Sequence, residues 1–209
     1  MSLTVEQMIN DVRAWHIAFG LNAPTTSVRL DHLAMERRRR ICGEEAGECM
    51  TAIWEASLRK RLDGLIDLSW TVAGTAVEMG MGMGVINITN AEMMSLDRMG
   101  FEHANAMMHN DQSGVIECLV HCLERLRFEF HDYKDRAWQA VKAANWAKGW
   151  HKDQMAYAHK MDWAYKEMPN KPGYFAVVDA TGKLQKPRTI LGELDWQEPD
   201  YSFLPMDMC

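Results

Sequence analysis

Five carboxylate side chains occupy two neighbouring stretches of the chain, at spacings that would place them on one face of a helix. The first group is Glu44, Glu45 and Glu48, and the second is Asp63 and Asp67. Side chains three or four positions apart share one side of a helix, where like charges repel by about 0.2–0.5 kcal/mol per pair. Such clusters favour a bound hard cation, Mg²⁺ or Mn²⁺, and ions held by oxygen ligands commonly serve phosphate chemistry.

Two helices have to position these acids. Apolar residues fill both stretches between the carboxylates, so each acidic face borders an apolar stripe that must be buried. We predict that the first of these helices begins near Ser27, and that the second runs from Leu62 to Met79 and ends at Gly80. If they pair antiparallel across a link near residues 59–61, the five carboxylates converge.

Elsewhere the N-terminal half predicts two more helices. A capping box at Thr4 opens the first, which carries apolar residues at intervals of three and four positions until Gly20 ends it. A second capping box, Thr89 to Glu92, opens a helix that runs towards Met107.

The C-terminal half predicts a helical block followed by a small β element. From residue 113 to 168 no proline interrupts an apolar pattern of near-helical spacing, which predicts two or three helices with breaks around 131–135 and 145–150. Residues 174–178 and 183–185 flank a turn and predict a β-hairpin, followed by an extended tail. The predicted fold is thus a single all-α domain: a core over 1–112, a helical insertion over about 113–168, and a hairpin and tail over 169–209.

Composition narrows the class of protein. The chain has 209 residues, 25% of them charged and 47% hydrophobic, which is ordinary for a globular domain with a substantial core. A net charge of −6 disfavours nucleic acid as a partner, because such binding depends on clustered Lys and Arg. No apolar run approaches the roughly 18 residues that span a bilayer, no secretory leader is recognisable, and the 5 cysteines are an odd number. These features predict a cytoplasmic protein with reduced thiols and no membrane partner.

The acidic stretches resemble a motif of the all-α nucleoside triphosphate pyrophosphohydrolases, which include MazG, phosphoribosyl-ATP pyrophosphohydrolase and the dimeric dUTPases. The family motif is Glu-Glu-x-x-Glu, followed after a gap by Glu-x-x-Asp. Glu44-Glu45-Ala-Gly-Glu48 matches the first half and Asp67 matches the final Asp, whereas Gly64 stands where the second half has its Glu. Asp63, one residue earlier, still lies on the Asp67 face of the predicted helix. The run 63–80 is similar to that of phage and bacterial members.

Weaker echoes extend the resemblance beyond the acids. Residues 101–107, Phe-Glu-His-Ala-Asn-Ala-Met, resemble a later helix of the family, and Lys186-Pro187 with the segment 196–200 resembles its C-terminal tail. The likeness covers residues 10–108 and 175–200 and leaves out the middle of the chain.

The resemblance implies a MazG-like helical bundle and a metal-dependent hydrolase. Two or three Mg²⁺ ions, or Mn²⁺ as a substitute, would be held by Glu45, Glu48, Asp67 and, in place of the missing Glu, Asp63. Glu44 or Glu48 would accept the proton of the attacking water. The substrate would be a nucleoside triphosphate, with dGTP, dUTP and dCTP as candidates, cleaved to the monophosphate and pyrophosphate. The resemblance also implies a homodimer or homotetramer that controls the nucleotide pool in a bacterial or phage-infected cytoplasm.

Candidate substrate-binding residues lie around the acidic stretches. Trp15, His16 and Phe19 of the first helix and Asn105 of the fourth stand where the family builds its nucleotide pocket; core packing is the alternative for the first three. The candidates for contacts with the phosphates are Arg38, with Arg40 as its alternative, and Arg61. Plain surface charge or complementation of a helix dipole is the other explanation of these arginines.

Two other classes of protein remain open. A helical interaction module without chemistry would carry the same acids as a solvated face. A carboxylate-bridged di-iron bundle also uses inward acids on helices, but it requires Glu-x-x-His, and none of the 8 histidines lies three residues after a glutamate.

Overall fold

The computed structural model describes residues 2–81 and 96–205, which are mostly helical. Seven α-helices and one three-stranded antiparallel sheet occur in this part of the chain. The helices are α1 (Val5–Ala18), α2 (His32–Trp54), α3 (Leu58–Glu78), α4 (Leu96–Met108), α5 (Gln112–Glu129), α6 (Lys134–Trp146) and α7 (Met155–Lys160). The strands are β1 (Trp150–His151), β2 (Ala164–Glu167) and β3 (Tyr174–Val178), in the order β1-β3-β2. The capping box predicted at 89–92 lies outside the described residues.

Local capping sets the starts of α1 and α2. The Thr4 hydroxyl accepts a hydrogen bond from the Gln7 backbone N–H at 3.1 Å, which confirms the predicted start of α1. Helix α2 begins at His32, later than the predicted Ser27, because the Asp31 carboxylate caps it by accepting from the Ala34 N–H at 2.7 Å. The segment before it has no regular secondary structure, and its Val28 N–H donates to the carbonyl of Met79 at 3.0 Å.

Helices α2 and α3 form an antiparallel pair, as expected, but the link lies earlier than residues 59–61. It consists of residues 55–57, in which Ala56 adopts a positive φ of 53° and Ser57 caps α3 by accepting from the Lys60 N–H. Residues 59–61 therefore lie in the first turn of α3. Two close contacts show that the helices run in opposite directions. Gly64 near the start of α3 meets Cys49 near the end of α2, and Gly74 further along α3 meets Arg38 nearer the start of α2.

Helix α3 is the central element of the fold. It is buried along most of its length and contacts α1, α2, α5 and α6. One hydrophobic core joins the helices α1 to α6 and also includes Tyr201 and Leu204 of the C-terminal tail. A second, small cluster around Trp150, Met155 and Val177 fills the space between α7 and the sheet. The tail is thus packed onto the helical core, close to the acidic helices.

The predicted helical block contains strands as well as helices. Helices α5 and α6 fall within it and are separated near the expected break, but residues 164–167 form β2 and pair with β3 in the register Ala164↔Val178 and Glu167↔Phe175. Strand β3 matches the prediction, whereas its expected partner, residues 183–185, contributes a single bridge between Val178 and Leu184. The predicted hairpin therefore forms at the end of β3, where the Gln185 N–H also donates to the Val177 carbonyl at 2.8 Å. Strand β2 is a further partner that the sequence did not predict, because its pairing with β3 is not encoded in local spacing. In the described part of the chain, no helix is both long and apolar enough to cross a membrane.

Candidate active site

A cavity of about 710 Å³ lies between α1, α2, α3, the end of α6 and the segment 178–199. Its walls carry opposite charges. Three of the predicted carboxylates, Glu45, Glu48 and Asp67, come from α2 and α3, and four cationic side chains come from the C-terminal half of the protein: Lys148, Lys183, Lys186 and Arg188. We refer to this space as the central cavity, to the carboxylates as the acidic wall and to the cations as the basic wall.

The acidic wall holds its charges at an energetic cost. Burial, followed by the charge of Glu48, raises the pKa of Glu45 to about 7. Burial, followed by Glu45 and Asp63, raises the pKa of Asp67 well above its usual range. Both shifts have the sign expected for carboxylates that are removed from water and crowded by like charges. A cation placed beside Glu45 and Asp67 would favour their ionised forms.

The present side-chain arrangement does not itself form a chelating group. Among the described residues, no group of three or more His, Cys, Asp or Glu side chains is placed to hold a metal ion. Glu48 is exposed and borders both the central cavity and a second one, so its side chain has room to change rotamer. The donor types nevertheless suit a hard cation, because all three residues of the acidic wall offer carboxylate oxygens.

Glu44 faces a different set of partners from Glu45 and Glu48. Its carboxylate contacts the ammonium of Lys183 at 2.8 Å and the guanidinium of Arg40 at 3.2 Å. The hydrogen bond from Lys183, with the charges of Lys183 and Arg40, lowers the pKa of Glu44. A carboxylate that is already paired with two cations is a weak proton acceptor.

The basic wall is positioned by two tryptophans that meet the last turn of α6. The indole N–H of Trp15 donates to the Asn145 carbonyl at 2.9 Å, and that of Trp196 donates to the Ala144 carbonyl at 2.8 Å. Lys148 follows directly after this turn, and the Lys186 ammonium lies 3.7 Å from the centroid of the Trp196 ring. The first helix and the C-terminal tail therefore hold the end of α6 at the cavity.

A charged cluster occupies another part of the cavity lining. The Glu78 carboxylate forms salt bridges with the guanidinium of Arg38 at 2.6 Å and with that of Arg37 at 2.8 Å. His16 Nδ1 donates to the Asn22 carbonyl at 2.8 Å, so its Nε2 is the acceptor for Arg38 at 3.3 Å. Burial, reinforced by the positive charge of Arg38, lowers the pKa of His16 to about 4, and the imidazole is neutral at pH 7.

Arg38 reaches this cluster through a gap left by a glycine. A Cβ atom at Gly74 would lie 2.7 Å from Arg38 Nη1, so a larger residue in this turn of α3 would displace the guanidinium. Burial tends to raise the pKa of Glu78, but the charge and hydrogen bond of Arg38, with Arg37 and His16, outweigh it and lower the pKa. Arg38 lines the cavity, and its charge is paired within the protein.

The predicted aromatic residues separate into a cavity surface and a core. Trp15 lines the cavity together with Trp70, and their ring centroids are 5.8 Å apart. Phe19 is buried behind them, with its ring 5.0 Å from that of Trp15 and 6.4 Å from that of Trp146. Phe19 therefore belongs to the packing that supports Trp15, and it lies outside the cavity lining given by the described residues.

Three further predicted residues lie away from the central cavity. Asp63 borders a second cavity of about 590 Å³, where its carboxylate accepts a hydrogen bond from the Tyr201 hydroxyl at 2.7 Å. Arg61 points to α5 and pairs with Glu129 at 2.5 Å. Asn105 is half-buried on α4, and the described lining of the central cavity does not include it.

The missing glutamate of the motif has a structural explanation. Gly64 is buried in the α2–α3 interface, where an added Cβ would lie 2.9 Å from the Cα of Cys49. A glutamate at this position would have to push the two helices apart before its carboxylate reached the acidic wall.

The sequence by itself does not mark three of the cationic residues of the site: Lys148, Lys183 and Arg188. Their positions relative to the acids depend on how α6 and the tail fold back, and the sequence carries no local spacing that signals this. Comparisons of the chain with protein-family models, with curated proteins and with solved structures found no match. What points to a function is the set of residues in the cavity together with the likeness of the acidic motif.

Proposed function

We propose that the protein is a divalent-metal-dependent nucleoside triphosphate pyrophosphohydrolase, which converts a nucleoside triphosphate into the monophosphate and pyrophosphate. The observation that carries the proposal is the pairing of an acidic and a basic wall across one cavity: Glu45, Glu48 and Asp67 on one side, Lys148, Lys183 and Lys186 on the other. A polyanionic substrate needs both cations that contact its phosphates and carboxylates that hold a metal.

Glu45, Glu48 and Asp67 would hold the metal. Mg²⁺ or Mn²⁺, when bound, would supply positive charge to the phosphate oxygens and would favour deprotonation of the attacking water. The raised pKa values of Glu45 and Asp67 support this assignment, because a cation relieves both the burial and the mutual repulsion that raise them.

Glu48 is the better candidate for the group that accepts the proton of the attacking water. It lines the cavity, whereas Glu44 is held by Lys183 and Arg40 and its pKa is lowered. In this assignment Glu44 keeps Lys183 oriented towards the cavity, and its effect on the reaction is indirect.

The nucleoside would contact the aromatic part of the lining. Trp15 and Trp70 offer ring surfaces, and the neutral His16 and the backbone near Asn22 offer polar groups for the edge of a base. Lys183, Lys186 and Arg188 would contact the triphosphate tail. The candidate substrates are dGTP, dUTP and dCTP.

The test is a screen of the natural ribonucleoside and deoxyribonucleoside triphosphates with Mg²⁺ or Mn²⁺, with the products followed by phosphorus NMR. We expect at least one substrate to yield the monophosphate and pyrophosphate. Glu45→Gln should abolish this activity, while Glu36→Gln, which alters an exposed residue of the same helix outside the described cavity lining, should leave it intact.

Release of orthophosphate alone would contradict the proposed cleavage position. If no triphosphate is hydrolysed and neither Mg²⁺ nor Mn²⁺ alters thermal stability, the acids form a solvated face, as in a helical interaction module. Iron-dependent colour in the purified protein would instead indicate a di-iron site.

A further inference from the structure

We infer that Lys148 is an internal counter-ion of the acidic wall: in the metal-free protein its ammonium neutralises Asp67 and Glu45, and in the metal-loaded protein it pairs with the phosphates of the substrate. The inference extends the proposed function to a residue outside the acidic motif, from the stretch 113–168 that the family resemblance does not cover. It also makes a divalent ion and Lys148 competitors for the same carboxylates.

The backbone of Lys148 is fixed by the contacts that end α6. Its N–H donates to the Asn145 carbonyl at 3.2 Å, and the same carbonyl accepts from the Trp15 indole at 2.9 Å. The neighbouring Ala144 carbonyl accepts from Trp196 at 2.8 Å. The last carbonyls of a helix have no partners within the helix, so these bonds anchor the turn from two directions. Lys148 therefore enters the cavity from a rigid support.

Lys148 shares the central cavity with charged groups of both signs. The acidic side has Glu45 and Glu48 from α2 and Asp67 from α3, and the basic side has Lys183, Lys186 and Arg188 from the segment after β3. Burial lowers the pKa of Lys148; Asp67 and Glu45 counteract this effect, while Lys186 and Lys183 add to it. The ammonium thus gains from the carboxylates and is repelled by the other lysines.

This balance changes when a divalent ion binds to the carboxylates. The ion neutralises Asp67 and Glu45, so these carboxylates attract Lys148 less strongly. The ion itself also repels the ammonium. The ammonium can then pair with a phosphate, which carries the opposite charge and is also attracted by Lys183 and Lys186. The exchange needs only a change of side-chain rotamers, because the backbone of α6 is held in place.

The inference predicts opposite effects of one substitution on two ligands. Lys148→Met removes the charge and keeps the apolar stem, so the carboxylates lose their internal competitor and Mn²⁺ should bind about tenfold more tightly. Inorganic pyrophosphate added to the Mn²⁺-saturated protein should bind about tenfold more weakly, because one of its cationic partners is missing. A lysine with a purely structural role would weaken both ligands on removal or neither.

Mn²⁺ affinity would be measured by electron paramagnetic resonance of the free ion, and pyrophosphate affinity by titration calorimetry at a fixed, saturating Mn²⁺ concentration. Lys160→Met is the matched control: it removes the same charge from an exposed position at the end of α7, outside the described cavity lining, and should match the wild type for both ligands. Lys148→Arg keeps the charge and should also remain close to the wild type.

Unchanged or weaker Mn²⁺ binding by Lys148→Met would overturn the inference. If this variant does not fold, Lys148→Gln provides the same comparison with a polar side chain. Neither measurement requires turnover, so the two proposals fail separately. Tighter Mn²⁺ binding in a protein that hydrolyses no triphosphate would support the counter-ion and remove the proposed function; hydrolysis with unchanged Mn²⁺ binding would do the reverse.

Discussion

Asp63 and Asp67 lie one turn apart on α3, and yet they face different cavities. Asp67 belongs to the acidic wall of the central cavity, whereas Asp63 borders the second cavity and accepts a hydrogen bond from Tyr201. The C-terminal tail borders both cavities, because its Pro199 lines each of them. Helical spacing determines the side from which a side chain leaves; the packing of another segment against that side decides which space it enters.

The two carboxylates also differ in what balances their charge. Burial raises the pKa of both, but the hydrogen bond from Tyr201 counteracts this effect at Asp63. At Asp67 the charges of Glu45, Asp63 and Glu48 raise the pKa further, and the charge of Lys148 counteracts them. Asp67 is therefore the carboxylate that a divalent ion would stabilise most, while Asp63 already has a neutral donor.

The largest expected effect is a difference in catalytic activity between variants of Asp67 and Asp63. If the proposed function holds, Asp67→Asn should reduce kcat/KM by about a hundredfold or more, because it removes an anionic ligand from the proposed metal site. Asp63→Asn should cost less than about tenfold, since its side chain faces the other cavity. Steady-state kinetics at limiting Mg²⁺ measure both variants, and equal losses would return Asp63 to the set of metal ligands.

An intermediate effect concerns the glycine between them. Gly64→Ala should lower the free energy of unfolding by about 1–3 kcal/mol, because the added Cβ meets the Cys49 backbone at 2.9 Å. Gly47→Ala is the control: no atom lies within 4 Å of an added Cβ there, and the gain in helix propensity should stabilise the protein by up to about 1 kcal/mol.

Urea denaturation with unchanged m-values measures both glycine variants. A Gly64→Ala variant as stable as the wild type would show that α2 and α3 can separate easily. In that case the glutamate of the family motif could be accommodated at this position.

The smallest expected effect concerns the tail contact itself. Tyr201→Phe removes the hydrogen bond to Asp63 and should lower the free energy of unfolding by about 1 kcal/mol, because the carboxylate loses its donor. Turnover should change by less than about threefold if Asp63 stays outside the central cavity. A loss of turnover as large as that of Asp67→Asn would mean that the Tyr201 contact is needed to form the active site.

The local features of the fold were accessible from the sequence because they depend on neighbours along the chain. The Thr4 cap, the break between α5 and α6, and the two acidic helices themselves follow from capping residues and apolar spacing. The same reasoning put Glu45, Glu48 and Asp67 on facing helices, and the structure brings these three to one cavity.

Only the tertiary structure decided which charges meet the acidic wall and which stay apart from it. Lys148 and Lys183 reach the cavity because α6 and the tail fold back over α2 and α3. Arg61 forms a salt bridge with Glu129 on α5 and so stays away from the cavity. Strand β2 forms because it pairs with β3. These contacts join residues far apart in the chain. Their geometry depends on how whole helices and strands pack together, and the local periodicity of the sequence carries no information about that packing.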